Sequence, residues 1–229
     1  MEHGLVRQDL YTAVKIETLF ANEFGEEQRL GQGTGFFVRR ADEVPCLVTN
    51  RHVLDVTRQG IFNKDSIFLK QHVLAAARVW IFGSRGDDFP VARPYDLLVD
   101  QSPVRVGENP ANDVVAVIDP KFKICDGGPE QIDLTEIFAE AFLADEKFFQ
   151  TRLEICDFVA FPGYPAVHDT LAGRPIVRVG TISSDPACNY HWGDQVTGDC
   201  VAYEAFSSGG SSGSPVIAMQ KGSGGVSLI

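Results

Sequence analysis

The chain has 229 residues, of which 44% are hydrophobic and 22% are charged, so it is long enough to bury one substantial core or two small lobes. It carries 20 Lys and Arg against 31 Asp and Glu, a net charge of −11, which argues against a nucleic-acid partner because phosphates would be repelled. No apolar run is long enough to cross a bilayer, and the first residues lack the basic and apolar regions of a secretory signal. A membrane partner is therefore not expected.

The cysteines predict free thiols in the reducing cytoplasm, because an odd number at wide spacing does not form a disulfide framework. They are Cys46, Cys125, Cys156, Cys188 and Cys200. Cys188, His191 and Cys200 form a partial zinc pattern, but no fourth ligand lies nearby in the sequence. We interpret them as a loop with incidental Cys and His, and we expect neither a metal nor a cofactor.

Short strand patterns follow one another along the first half of the chain. Residues 12–19 alternate between apolar and polar side chains, which is typical of a half-buried strand. Further short β patterns occupy residues 36–38, 46–49, 77–82 and 112–118. Frequent short strands separated by turns favour an all-β sandwich or barrel over a βαβ sheet.

One stretch, residues 133–144, departs from this pattern. Asp133 can cap a helix there, with Glu136 in the capping-box position. The apolar residues that fall on one helical face are Leu134, Ile137, Phe138, Ala141 and Phe142. The stretch predicts a short helix that connects two β lobes and buries this face.

Residues 206–216 are rich in Gly and Ser, a composition typical of a flexible linker. Strand-like apolar runs flank the stretch, however, and it contains Gly-x-Ser-Gly-x-Pro, a turn that can expose one serine. Gly210 and Gly213 allow positive φ, and the N–H groups of Gly210 and Ser212 could then hold a developing oxyanion. The stretch alone leaves both readings open.

A serine nucleophile needs a base within hydrogen-bonding reach, and the base needs an orienting partner. His52 directly follows an apolar strand, which can hold a base in one geometry. Asp113 stands at the head of the apolar run 114–118, where a half-buried carboxylate needs a partner such as a histidine N–H. Taken singly, a strand-end His bonded to backbone and an Asp capping a turn are equally ordinary explanations.

With His52, Asp113 and Ser212 in this order, the sequence resembles the trypsin/chymotrypsin-fold serine proteases, especially the bacterial HtrA-like and related trypsin-like peptidases. The segments that carry the resemblance are Gly33-Thr34-Gly35-Phe36-Phe37-Val38, Leu47-Val48-Thr49-Asn50-Arg51-His52-Val53, Asn112-Asp113-Val114-Val115-Ala116-Val117 and Gly210-Ser211-Ser212-Gly213-Ser214-Pro215-Val216. The resemblance extends from about residue 12 to residue 219.

The resemblance implies a role for each matched residue. Ser212 would be the nucleophile, in preference to Ser211 and Ser214, because the motif places the reactive serine directly before Gly213. His52 would be the general base and Asp113 would orient it. The N–H groups of Gly210 and Ser212 would form the oxyanion hole.

The same resemblance predicts the primary specificity pocket. The residue at its base lies six positions before the nucleophile, which is Phe206 here. An uncharged aromatic floor would favour small or medium apolar side chains before the cleaved bond and disfavour Lys and Arg.

The implied fold is a chymotrypsin-like double β-barrel, with a first barrel at about residues 10–120, a connector with the helix at 121–152 and a second barrel at 153–229. Only residues 215–229 follow the serine motif, so the second barrel is expected to be incomplete at its C-terminal end. The implied function is a cytoplasmic serine endopeptidase acting on polypeptides. The alternatives are a catalytically silent peptide-binding module with a misassembled triad and, less favoured, an esterase.

Overall fold

A computed structural model describes residues 5, 7–55, 71–83, 91–109, 111–125, 132, 134, 137–166, 173–191, 198–219 and 226–229. Within these residues the chain forms mainly β-strands, with short helices at α1 (Arg7–Leu10), α2 (Arg51–Leu54) and α3 (Glu146–Thr151). The all-β prediction is therefore confirmed. None of the described helices is long and apolar enough to cross a membrane.

The strands fall into two sheets. Those of the first sheet are β1 (Ala13–Asn22), β2 (Glu27–Arg39), β3 (Pro45–Asn50), β4 (His72–Gly83), β5 (Val91–Leu97), β6 (Val104–Val106), β7 (Val114–Ile118), β8 (Phe122–Ile124) and β9 (Phe138–Ala139). Those of the second sheet are β10 (Phe158–Gly163), β11 (Ile176–Ile182), β12 (Tyr203–Ala205), β13 (Ile217–Met219) and β14 (Val226–Leu228).

The first sheet follows the order β6-β7-β3-β2-β1-β4-β5-β8, and β9 adds to β2 in parallel. Its inner face carries a core of aliphatic and aromatic side chains that includes Ile16, Phe37, Leu47, Val79 and Val117, all at most 1% exposed. Alternation along each strand directs these side chains to one face, which encloses the first core.

The second sheet follows the order β12-β11-β10-β13-β14. Its core contains Leu153, Val159, Ile182 and Ala218, and α3 contributes partly buried phenylalanines to it. Each lobe therefore has its own apolar core, in agreement with a two-lobed architecture.

Tyr164, at the end of β10, is a principal contact between the lobes. It is 3% exposed and packs with Tyr11, Ala13 and Phe82 of the first lobe. Its hydroxyl donates to the carbonyl of Ala13 at 3.1 Å. Burial raises the pKa of Tyr164 well above its usual value, so the hydroxyl stays protonated and can donate this bond.

The helix predicted over residues 133–144 is wrong for the described part of that stretch. Phe138–Ala139 forms β9 beside Val38 and Arg39, and Glu140–Phe142 is a single 3₁₀ turn. Asp133 and Glu136, its predicted capping pair, lie outside the described residues. Phe142 is 53% exposed rather than buried, whereas Leu134 and Ile137 do pack against the first core.

Tertiary contacts explain the difference. The Phe138 ring packs edge-on against Phe36 at 5.9 Å, and the edge of β2 supplies backbone hydrogen bonds that a short isolated helix would have to provide itself. The connecting helix exists further along as α3, where the Asp145 carboxylate accepts the N–H of Phe148 at 2.7 Å as an N-cap.

Candidate active site

β3 and β7 bring His52 and Asp113 together. The two strands pair antiparallel with Asn50 opposite Val114, so Asp113 lies beside the first turn of α2. The N–H of His52 donates to Asp113 Oδ1 at 3.0 Å, and the imidazole Nδ1 is hydrogen-bonded to Asp113 Oδ2. Because an ionised carboxylate only accepts, Nδ1 carries the hydrogen and Nε2 is the basic nitrogen.

The main chain of Asp113 is held as firmly as its side chain. Its carbonyl accepts the N–H of Arg51 at 3.0 Å and the side-chain amide of Asn50 at 2.7 Å. Both carboxylate oxygens and the carbonyl therefore face α2, which fixes the orientation of the His52 ring. The side chains of His52 and Asp113 are 30% and 40% exposed, so the pair lies at the protein surface.

The serine-containing segment consists of two consecutive β-turns. The N–H of Ser211 donates to Ser208 O at 3.3 Å, and the N–H of Ser214 donates to Ser211 O at 3.0 Å. Gly210 and Gly213 occupy the third position of their turns with φ of 92° and 85°, the position that favours glycine in a type II turn. The segment is therefore a defined turn structure and not a flexible linker.

This double turn docks on the first lobe. The N–H of Thr34 donates to Ser212 O at 2.7 Å, and the Thr34 hydroxyl donates to Gly210 O at 2.8 Å. A Cβ built on Gly213 would lie 2.0 Å from Thr34 O and 2.4 Å from Thr49 Oγ1. The contact is therefore possible only with glycine at position 213.

Ser212 lines a cleft of about 650 Å³ between the lobes. Thr49, Asn50 and Val114 line the same cleft. Asn50 lies two residues before His52 and Val114 directly follows Asp113, so the His52–Asp113 pair adjoins the cleft without lining it. Among the described residues, no acceptor receives the N–H of Gly210 or of Ser212. Two donors thus remain available beside Ser212 for an anionic oxygen.

Phe206 does not close the floor of this cleft. It follows β12, is 79% exposed and lies outside the residues that line the cleft. The pocket-floor prediction therefore fails in this structure, because the turn begins at Ser208 and leaves the preceding side chain directed to solvent.

Sequence reasoning missed a polar contact between the lobes beside Asp113. The Asp199 carboxylate accepts hydrogen bonds from the amides of Asn109, Asn112 and Asn189 at 3.2, 3.1 and 3.1 Å, and the Asp199 N–H donates to Asn112 Oδ1 at 2.8 Å. These bonds lower the pKa of Asp199, with Asn112 contributing most. Because Asn112 precedes Asp113, the contact braces the loop that presents the acid.

The partial zinc pattern does not assemble as a metal site in the described part of the chain, where no three His, Cys, Asp or Glu side chains cluster suitably. The Cys200 thiol instead lies 3.1 Å from the carbonyl of Tyr190, and Cys188 is exposed. All five cysteines are free thiols.

These features define a two-lobed β-fold with a cleft between the lobes. Among solved structures, the chain is similar to the crystal structure of Deg5, an HtrA protease, with a TM-score of 0.50 and 17% identity over 93% of this chain and 77% of Deg5. This similarity establishes the chymotrypsin-like fold and, at 17% identity, the fold alone. No protein-family model and no curated protein matches the sequence.

Proposed function

We propose that the protein is a serine endopeptidase in which Ser212, His52 and Asp113 act as a catalytic triad. The observation that carries the proposal is that one carboxylate oxygen of Asp113 accepts the main-chain N–H of His52 while the other is hydrogen-bonded to its ring. A histidine held in this way can serve a nucleophile as a general base. The docked turn supports the proposal because Ser212 lines a cleft that Asn50 and Val114, the neighbours of His52 and Asp113 in the chain, also line.

In the proposed mechanism the Ser212 hydroxyl attacks the scissile carbonyl carbon while His52 Nε2 takes its proton. The carbonyl oxygen becomes an oxyanion, and the N–H groups of Gly210 and Ser212 stabilise it. His52 then gives the proton to the leaving amine, which forms the acyl-enzyme. Water activated by His52 attacks the ester carbon in the second half-reaction and releases the acid and Ser212.

The setting of this activity is also proposed. A cleft lined by residues of both lobes supports a polypeptide substrate, and a net charge of −11 disfavours nucleic acid. Five free thiols are compatible with a reducing compartment such as the cytoplasm.

Hydrolysis of an unfolded protein such as casein tests the proposal. Ser212→Ala and His52→Ala should each lower kcat by about 10^4- to 10^6-fold without an additive effect in the double variant, because the residues act as one unit. Ser183→Ala is the control, since this serine is exposed and lies in the second lobe but does not line the cleft. Retained hydrolysis in Ser212→Ala would contradict the proposal, and a folded protein without hydrolysis would favour the peptide-binding alternative.

A further inference from the structure

The second lobe concentrates buried hydrogen-bond donors that have no partner. Five buried side-chain polar atoms lack one among the described residues: Thr18 Oγ1, Arg178 Nη1, Ser208 Oγ, Ser211 Oγ and Ser214 Oγ. The last four belong to the second lobe, and each can donate a hydrogen bond. Unpartnered buried polar groups are rare and costly, so their concentration around the serine turn calls for an acceptor-rich ligand.

Arg178 lies on the inner face of the second sheet. On β11 its neighbours Val177 and Val179 point outward, with exposed fractions of 38% and 63%. Arg178 is paired with Phe161 on β10, and its guanidinium carbon lies 5.8 Å from the centre of the Phe161 ring. The Tyr203 ring packs against Phe161 at 5.6 Å, so the guanidinium belongs to an aromatic-lined inner surface.

The serine turn lies over this same face. Gly163 follows Phe161 by two residues on β10, so a side chain at position 163 would point to the Phe161 side. A Cβ built on Gly163 would lie 2.2 Å from Ser214 Oγ. The Ser214 hydroxyl and the paired residues Phe161 and Arg178 therefore occupy one face, roughly 7 Å apart along the strand.

The path of the chain and the lining of the cleft both link the serine turn to the surface that carries Arg178. β12 ends at Ala205, opposite Gly180 on β11, so the chain passes the level of Arg178 as it enters the serine turn. Tyr203, Ser207 and Ser208 line the cleft together with Ser212. Arg178 does not itself line the cleft, but Tyr203 does, and its ring packs on Phe161, the residue paired with Arg178. Tyr203 therefore lies between the cleft and the surface that carries Arg178.

The charge of this surface is positive although the protein is acidic. Burial lowers the pKa of Arg178, whereas Tyr203 acts in the opposite direction. No carboxylate among the described residues pairs with Arg178 Nη1, and Glu204 points to the other face, opposite Thr181. A partly desolvated guanidinium that forms no ion pair with a carboxylate of the described residues favours a carboxylate ligand, which it can bind with paired hydrogen bonds.

We propose that Arg178 is a specificity-determining residue that binds a carboxylate side chain of the substrate, so that the enzyme cleaves after Glu or Asp. This inference rests on the proposed peptidase function. Ser212 attacks the carbonyl of the substrate residue before the cleaved bond, so that residue is held nearest to Ser212. Its side chain is therefore the substrate side chain that reaches the Arg178 surface. Hydroxyls of Ser208 and Ser214 are further donors for the same carboxylate. This preference for an acidic residue before the cleaved bond replaces the preference for apolar residues predicted from Phe206. The expected discrimination against Lys and Arg is unchanged.

Fluorogenic peptides that differ only in the residue before the cleaved bond test the inference. The wild-type kcat/KM should be about 10- to 100-fold higher for Glu than for the isosteric Gln, the range for a hydrogen-bonded charge, and lowest for Lys. Arg178→Met, which keeps packing on Phe161, should reduce the Glu-to-Gln ratio to about one. Arg152→Met, which removes an exposed charge from the same lobe, should leave the ratio intact.

The outcomes separate the specificity from the proposed function. A wild-type enzyme that cleaves Gln, Ala or Lys peptides as fast as the Glu peptide overturns the inference by itself, whether or not Arg178→Met folds. An unchanged ratio in a folded Arg178→Met variant also overturns it. If no peptide is cleaved and Ser212 does not react with a fluorophosphonate, the proposed function fails and the inference with it.

Discussion

At the scale of single residues, Gly213 is the glycine at which an added side chain would approach its neighbours most closely among the described residues. Its φ of 85° and its approach to Thr34 O leave no room for a side chain. We expect Gly213→Ala to lower the free energy of unfolding by about 1–3 kcal/mol, through backbone strain and separation of the serine turn from the first lobe. Hydrolysis should fall further than the loss of folded protein explains.

Gly209→Ala is the control for this prediction. Gly209 lies in the same double turn, but a Cβ there would meet nothing within 4 Å, and its φ is not positive. Thermal unfolding and kcat should therefore stay near wild type. If both variants behave alike, the close approach at Gly213 does not constrain the turn.

Asp113 supports a second prediction at this scale. Asp113→Asn can still accept the His52 N–H, but its NH₂ group would face Nδ1 and force the other imidazole tautomer. We expect kcat to fall by about 10^4-fold with little change in KM. Asp119→Asn, at the exposed far end of β7, should be active. Steady-state kinetics on one peptide would decide, and equal activity of the two variants would contradict the role of Asp113.

How much the sequence predicts of a single residue depends on how local the cause is. His52 and Asp113 stand at strand ends, where a histidine N–H suits a half-buried carboxylate, and the structure shows them hydrogen-bonded. Their catalytic roles stay predictions. Phe206 was chosen by counting from Ser212, and the count could not show that its side chain is exposed. Arg178 sits between Val177 and Val179 in an ordinary strand pattern, and only the tertiary structure shows that it lacks a partner.

At the scale of elements, Glu17 joins three strands of the first sheet. It is 7% exposed and accepts Lys15 Nζ at 2.6 Å, Arg29 Nη1 at 2.8 Å and Trp80 Nε1 at 2.8 Å. Burial raises the pKa of Glu17, but the hydrogen bonds from these three donors outweigh it, and the pKa lies below its usual value. The ionised form is therefore the one that the folded state stabilises.

The sign of the pH dependence follows. A carboxylate with a lowered folded pKa contributes stability above its unfolded pKa of about 4.3, and the contribution is lost as pH falls through the folded value. Glu17→Gln should cost about 1–3 kcal/mol at pH 7, and the difference from wild type should shrink below pH 4. Urea unfolding measures both, with the exposed Glu27→Gln as control. A difference that does not change with pH would contradict this account.

Asp199 joins two loops that belong to different lobes. It lies between β11 and β12 and binds Asn109 and Asn112 in the loop between β6 and β7. Loss of its carboxylate frees Asn109 and Asn112, so Asp199→Ala should let the Asp113 loop move and reduce kcat by up to about 10^2-fold. Asp199→Asn keeps one acceptor and should recover part of the activity. Glu204→Ala, an exposed change on nearby β12, should have no effect. If neither Asp199 variant changes kcat, the contact does not position Asp113.

The helix predicted over residues 133–144 shows that apolar periodicity does not account for strand pairing with a neighbouring element. Apolar spacing over residues 134–142 fits a helix, yet the chain forms β9 because β2 offers an edge and Phe36 offers a partner for Phe138. Local propensity is weak in so short a segment, and tertiary pairing decides its structure. One residue beyond the predicted end, Asp145 caps the helix that does form, which begins at Glu146.

At the scale of the whole molecule, the proposed site depends on how the lobes meet. The first lobe contributes His52 and Asp113, and the second contributes the serine turn. Contacts distant in sequence hold them together, among them those of Tyr164 with Ala13, Thr34 with Ser212 and Asn112 with Asp199. The order of motifs along the chain predicted the two-lobed fold, but no local pattern contains these contacts.

Reaction with a fluorophosphonate, followed by intact mass measurement and peptide mapping, tests the central claim most directly. We expect one adduct per chain, located on Ser212, absent in Ser212→Ala and strongly reduced in His52→Ala, while Ser183→Ala, outside the cleft, reacts like wild type. A folded protein that stays unmodified, or an adduct on Ser211 or Ser214 in place of Ser212, would contradict it.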